Sequence, residues 1–131
     1  MAPARILPAA ISYFAIVFGA GFVLGTGRTL LLAPLIGQTG AVLAELPVML
    51  AISWWAARQE MRRWQIADSS AAAAMGLIAF VLLMAAELAL AVTLGGLSTR
   101  QWLAGLWTTP GLLGLGGQIV FAMLPWRLTG G

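Results

Sequence analysis

The spacing of charged residues constrains this chain more than any other feature. Residues 6–27 contain no Asp, Glu, Lys or Arg. At 1.5 Å per residue a helix of that length reaches roughly 33 Å, enough for the hydrocarbon core of a bilayer. From Thr29 to Ala57 only Glu45 interrupts the apolar run, from Ser69 to Thr99 only Glu87 does so, and residues 101–126 carry no charge. Against these runs stands one dense segment, Arg58–Asp68 (RQEMRRWQIAD), which holds five of the eleven charges. Such a segment belongs in water, and it divides the chain into halves that are each long enough for two crossings.

Of the 131 residues 61% are hydrophobic and 8% charged, whereas soluble domains carry about a quarter charged residues. So few polar side chains cannot cover the surface of a soluble fold of this size. The expected class is therefore all-α: a polytopic membrane protein, folded as a four-transmembrane-helix bundle with short interfacial segments and forming one domain over 1–131. Helices are expected near 6–26, 39–57, 70–95 and 109–125, with 58–68 as a cytoplasmic loop. Asp68-Ser69-Ser70 ahead of an Ala-rich run is a helix start, and Thr109-Pro110 reads as a cap followed by Pro at the first helical position.

Two linking segments, Gly27–Gly37 (GRTLLLAPLIG) and Leu97–Thr109 (LSTRQWLAGLWTT), are apolar but broken by Gly or Pro. Each reads either as a short interfacial helix or as an extension of the membrane helix that follows. Each also comes after a Leu-Gly pair and carries one Arg, so the two halves share an order of features.

Tryptophan placement fits this topology. Trp54, Trp55, Trp64 and Trp126 fall at one expected face and Trp102 and Trp107 at the other, as aromatic belts require. With four crossings, one side carries Arg5, Arg58, Arg62, Arg63 and Arg127, and the other Arg28 and Arg100. The excess of Arg places both termini in the cytoplasm. The first apolar run is longer than a usual signal-peptide core and no clear cleavage site follows it, so a retained helix is expected.

Several function classes drop out. The chain has no Cys and no His, which removes disulfides, thiolate nucleophiles, haem attachment and the familiar zinc and copper sites. No cofactor or metal is expected. The net charge of +3 comes from Arg residues spread along the chain, and they read as topology determinants rather than a phosphate-tracking stripe, so no nucleic-acid partner is expected. The G-x-G-G run at Gly114, Gly116 and Gly117 lacks the preceding strand of a nucleotide fingerprint and reads as close packing. Ser12, Tyr13 and Ser53 have no base near them in sequence, so no catalytic residue and no enzymatic activity are expected.

Two features remain as site candidates. Ala15, Gly19, Gly21 and Gly25 give small-xxx-small spacings in the first helix, a face for close packing within the bundle or against a partner. Glu45 and Glu87 are isolated carboxylates in apolar helices, a placement that costs about 2.5–3.5 kcal/mol on insertion scales for a comparable acid. Both fall roughly 9–12 Å in from the same face, the one that carries Arg28 and Arg100. These four residues are expected to form an intramembrane charge cluster. It would be either a set of structural ion pairs or a site for protons, cations or a lipid phosphate, with Arg28 meeting Glu45 and Arg100 meeting Glu87, or the reverse.

The stretch FGAGFVLGTGRTL from Phe18, then P-L-I-G, then AVLAELPVMLAISWWAAR, and FAMLPW near the end resemble a group of small, uncharacterised bacterial four-helix integral membrane proteins. That resemblance implies a bacterial inner-membrane location and draws attention to Arg28, Glu45 and Pro47; it implies no activity. Small multidrug-resistance proteins are also built of four short helices, but their essential Glu lies in helix one, where this chain has none. The resulting expectation is an accessory or assembly subunit of a membrane complex, with a proton-coupled or small-solute transporter using Glu45 and Glu87 as the alternative. The expected partners are the lipid bilayer and either further copies of the chain or a larger membrane complex.

Overall fold

The computed structural model describes residues 2–129. The fold is all-α, and its long helices are α1 (Ala2–Gly27), α2 (Ala33–Arg63), α3 (Ser69–Thr93) and α5 (Thr109–Arg127), with a short α4 (Thr99–Gly105) before the last. Between α1 and α2 lies a π-helical turn, Arg28–Leu32, where the Ala33 N–H donates to the Arg28 carbonyl five residues back. Its cause is local. Pro34 has no N–H to give and its ring crowds the carbonyl four residues earlier, and a wider turn relieves both problems.

The segment 27–37 therefore extends the preceding helix, which is neither of the two arrangements expected. Reversal is left to one residue. Gly37 has φ 81° and ψ 166° within otherwise helical backbone, a region open essentially to Gly alone. Beyond it the chain runs back along α1, which brings Glu45 to Arg28 and Met49 beside Gly21.

The remaining boundaries follow from local chemistry. Asp68 caps α3, its carboxylate accepting from the Ala71 N–H at 3.0 Å. Helix α2 runs on to Arg63, so the expected loop 58–68 shrinks to a turn at 64–68; a helix end can project past an apolar layer into water while its ladder stays intact. Glu60 lies within that extension, 4% exposed, with Arg63 at 3.6 Å. Segment 97–109 holds α4, closed by a Ser98–Gln101 capping box. Thr108, one residue earlier than expected, caps α5 by accepting from the Gly111 N–H.

The two hairpins, α1 with α2 and α3 with α5, pack side by side, α1 against α3 and α2 against α5. The helices joined by the 64–68 turn thus lie on a diagonal. The shared order of features in the two halves does not extend to a two-fold axis along the bundle, which would set α1 beside α5. Their reversals differ too, one at Gly37 and one through a capped helix.

Close packing is concentrated toward the 64–68 turn. Ala9, Ala10, Ala56, Ala57, Ala72 and Ala79 are fully buried there, and these small side chains let the helices approach. At Gly76 a Cβ would collide with the Ala122 carbonyl oxygen, so α3 and α5 are in backbone contact. Tyr13 crosses the core between α1 and α5. Its ring stacks on Phe121 with centroids 4.3 Å apart, and its hydroxyl donates to the Phe121 carbonyl at 2.5 Å. That carbonyl would normally accept from the residue four positions on, which is Pro125 and has no N–H.

Two helical stretches are long and apolar enough to cross a membrane, Arg5–Arg63 and Ser69–Thr93. The first is folded back on itself at Gly37. In each, only 22% of the most apolar window is buried inside the protein. Leu30, Leu31, Leu35, Leu77, Val81 and Leu94 face outward with more than half of their surface open.

Candidate functional site

The half of the bundle toward Gly37 and α4 is open where the other half is closed. Between the helices there lies a cavity of about 270 Å³. Most of its wall is apolar or aromatic, including Phe18, Phe22, Met49 and Phe121, and its polar side chains are Arg28, Glu45, Ser53, Glu87 and Gln118. The Tyr13–Phe121 layer adjoins it on the closed side, Phe121 belonging to both.

Arg28, Glu45, Glu87 and Gln118 are each placed by a separate element, and Ser53 shares α2 with Glu45. Arg28 opens the π turn, whose wider winding resets the direction of the side chains that follow. Glu45 lies one helical turn past the buried Ala41–Val42 pair on α2, and its Oε2 meets Arg28 Nε at 3.0 Å. The two atoms lack hydrogen-bond alignment, so the attraction is chiefly Coulombic. Arg28 keeps 30% of its side-chain surface exposed and Glu45 15%. On the far wall, Glu87 of α3 accepts from Gln118 Nε2 of α5 at 2.6 Å and 2.7 Å through its two oxygens. Gln118 Oε1 is buried without a partner. Arg28 and Glu87 line the same cavity.

Of the four charges expected to cluster, the structure brings together Arg28, Glu45 and Glu87. Arg100 stands apart. It belongs to the first turn of α4, is exposed, and forms no ion pair among the described residues. The reason is the separate end-helix that carries it, which holds it outside the bundle. The place beside Glu87, one of the two open to it in sequence, is taken by Gln118, the one side-chain amide in α5. Reading for charges alone passes over that residue, although an amide within an otherwise Gly-rich apolar helix is the same kind of signal.

The expected packing face divides. Ala15 and Gly19 are open to the outside, with nothing within 4 Å of a Cβ built on Gly19. Gly21 and Gly25 turn inward, where added Cβ atoms would sit 3.5 Å from Met49 and 3.4 Å from the Arg28 guanidinium. Residues four apart share a face, but Gly19 and Gly21 are two apart and cannot. Close contacts that glycine makes between the long helices fall instead at Gly76 and at Gly117, where a Cβ would come within 2.6 Å of Leu46.

At the closed end Asp68 is held below the usual aspartate range, first by the Ser70 hydroxyl and then by the Ala71 N–H. Arg58, Arg63 and Arg127 lie over the rings of Trp54, Trp64 and Trp126. Among the described residues no group of three or more His, Cys, Asp or Glu comes together as a metal site. Comparisons with protein-family models, with curated proteins and with solved structures found no match.

Proposed function

We propose that the chain is a multi-pass protein of a bacterial inner membrane, that its four long helices all cross the bilayer with both termini cytoplasmic, and that its cavity carries a small solute. The apolar outer surface and the sparse burial of the two longest apolar stretches support the membrane reading. Arg5, Arg58, Arg62, Arg63 and Arg127 gather at the end with the termini, in line with the positive-inside rule. One observation carries the functional reading. A cavity of about 270 Å³ holds an ion pair and a carboxylate–amide pair inside apolar walls. Polar groups at such depth are costly unless they have work to do or partners to meet, and space left beside them is space for a ligand.

The test uses the natural absence of Cys. Ser53→Cys, at the inner end of the cavity, and Thr129→Cys, at the opposite end of the bundle, are made singly and treated in intact cells with a small, membrane-impermeant, positively charged thiol reagent. Labelling of position 53 from outside, and of position 129 only after permeabilisation, is the expected pattern. Protection of position 53 under both conditions would remove the solute site.

The second reading, an accessory or assembly subunit of a membrane complex, is favoured by the outward Ala15–Gly19 face, which leaves the α1 backbone open to a neighbouring helix. Mild-detergent solubilisation at native abundance followed by mass spectrometry tests it, and a monodisperse particle holding this chain alone counts against it.

A further inference from the structure

We infer that the solute taken by the cavity is a small monovalent organic cation, and that it competes with a proton for Glu87; this rests on the solute-binding reading above. The argument begins with charge. Two carboxylates and one guanidinium face the cavity, and the guanidinium is engaged by Glu45 at 3.0 Å. From the elements around α3, the groups that share the cavity with Glu87 are Arg28 in the π turn after α1, Glu45 on α2, and the neutral Gln118 on α5. The Arg100 side chain on α4 is exposed and outside the cavity. One negative charge thus has no cationic counterpart of its own. In an apolar enclosure such a charge is neutralised by a proton or by a bound cation, and the two exclude each other.

Gln118 suits both states. With the carboxylate ionised, Nε2 donates to it as observed. With the acid protonated, a half-turn of the amide lets the carboxyl O–H donate to Oε1, the atom that is otherwise buried without a partner. The same side chain therefore satisfies Glu87 before and after exchange.

The walls select the kind of cation. Calcium and magnesium take about six or more oxygen ligands, more than two carboxylates already held by Arg28 and Gln118 can offer, and the chain has no His or Cys for softer divalent metals. Phe18, Phe22, Phe121 and Met49 line the cavity with aromatic rings and a polarizable sulfur, surroundings that suit alkylammonium groups with little hydration to lose. A volume of about 270 Å³ lies below the roughly 300–1,000 Å³ of pockets for drug-sized ligands, so the cation is small. On binding, the Glu87 carboxyl gives its proton to water at the cavity mouth and the carboxylate pairs with the incoming cation, so charge is conserved inside.

Isothermal titration of the full chain in lipid nanodiscs tests this with three probes of similar shape: benzyltrimethylammonium, benzoate and benzyl alcohol. Repeating the titration in buffers of different ionisation heat counts protons. The expected result is that the ammonium binds with release of one proton, and with an affinity that rises by about tenfold per pH unit until Glu87 is ionised in the empty protein. Glu87→Gln, nearly isosteric, is expected to weaken binding at least tenfold and to abolish proton release. Should that variant fail to fold, the proton count and pH slope of the wild-type protein still decide. Binding of benzoate or benzyl alcohol in preference, or ammonium binding with no proton released at any pH, overturns the inference and leaves the solute cavity standing. If none of the three binds, the inference is overturned; labelling of Ser53→Cys would then show whether the solute-site reading falls with it.

Discussion

Tyr13→Phe removes one oxygen atom from the centre of the fold, and its cost can be worked from the contacts that remain. The ring stack on Phe121 is kept, since centroids at 4.3 Å do not depend on the hydroxyl. What disappears is the side-chain donor to the Phe121 carbonyl, whose helical partner four residues on is missing because position 125 is Pro. A buried acceptor left without a donor costs about 1–3 kcal/mol. Side-chain hydrogen bonds in membrane proteins average nearer 0.6 kcal/mol with a maximum of about 1.7, because the unfolded state in lipid also finds partners. Here the carbonyl lacks its helical donor in that state too, while Tyr13 is 0% exposed in the folded one. The expected loss is about 1–1.5 kcal/mol, close to tenfold in the folding equilibrium.

The cause is tested by giving the carbonyl back its backbone donor. In a Pro125→Ala background residue 125 has an N–H, and Tyr13→Phe is expected to cost less than about 0.5 kcal/mol there, a coupling near 1 kcal/mol. The Pro125→Ala change has its own packing cost against Gly76, and the four-variant cycle cancels it. Equilibrium unfolding in mixed micelles, followed by circular dichroism over an SDS titration, supplies the four free energies. An equal cost of Tyr13→Phe in both backgrounds would refute the proposed role of the hydroxyl.

Three further outcomes are expected by the same assay. Gly37→Ala should destabilise by about 1–3 kcal/mol, since its φ of 81° with ψ of 166° is strained for any residue with a Cβ even though the surrounding space is open; an unchanged midpoint would mean that the corner relaxes. Glu45→Gln should cost about 1–3 kcal/mol, below the 3–5 of fully buried pairs because Arg28 keeps 30% exposure, and adding Arg28→Gln should restore part of it; strict additivity of the two changes would show that the charges do not interact. The lowered Asp68 carboxyl makes a contribution that is complete above the ordinary aspartate range and disappears as pH falls through its depressed value, so the wild type should lose stability on acidification more steeply than Asp68→Asn, and parallel pH profiles would count against this role.

What could be read in the sequence depended on how local the cause was. The Asp68 cap was legible because its partner N–H lies three residues away, and the Arg28–Glu45 contact is one of the two pairings that isolated charges in apolar runs left open. The continuation of the first helix past Gly27 was not legible. A long Gly- and Pro-containing segment looks like a connection, but here a π turn absorbs Pro34 and a single glycine makes the whole reversal. Reading Arg58–Asp68 as loop equated charge with irregular backbone, whereas α2 keeps its hydrogen bonds to Arg63. Gln118 was missed because it carries no charge, although α3 and α5 are consecutive long helices; the Tyr13–Phe121 bond crosses the bundle on the α1–α5 diagonal, which does not follow from sequential pairing.

The two halves of the bundle differ for one physical reason. Toward the 64–68 turn, Ala and Gly bring the helices so close that the backbone carbonyl freed by Pro125 must be satisfied by a side chain reaching across the core, and Tyr13 does this. Toward the other end the facing positions carry Arg28, Glu45, Glu87 and Gln118, whose lengths and charges keep the helices apart. An apolar replacement of all four would let that end close as the first does, at a saving in desolvation. The polar set therefore holds open a space that packing alone would fill, and its cost falls where the chain would need one for a ligand. A variant with all four replaced by Leu should be more resistant to SDS than wild type and should lose labelling at Ser53→Cys; a variant that is less resistant would mean that the charges hold the bundle together rather than open.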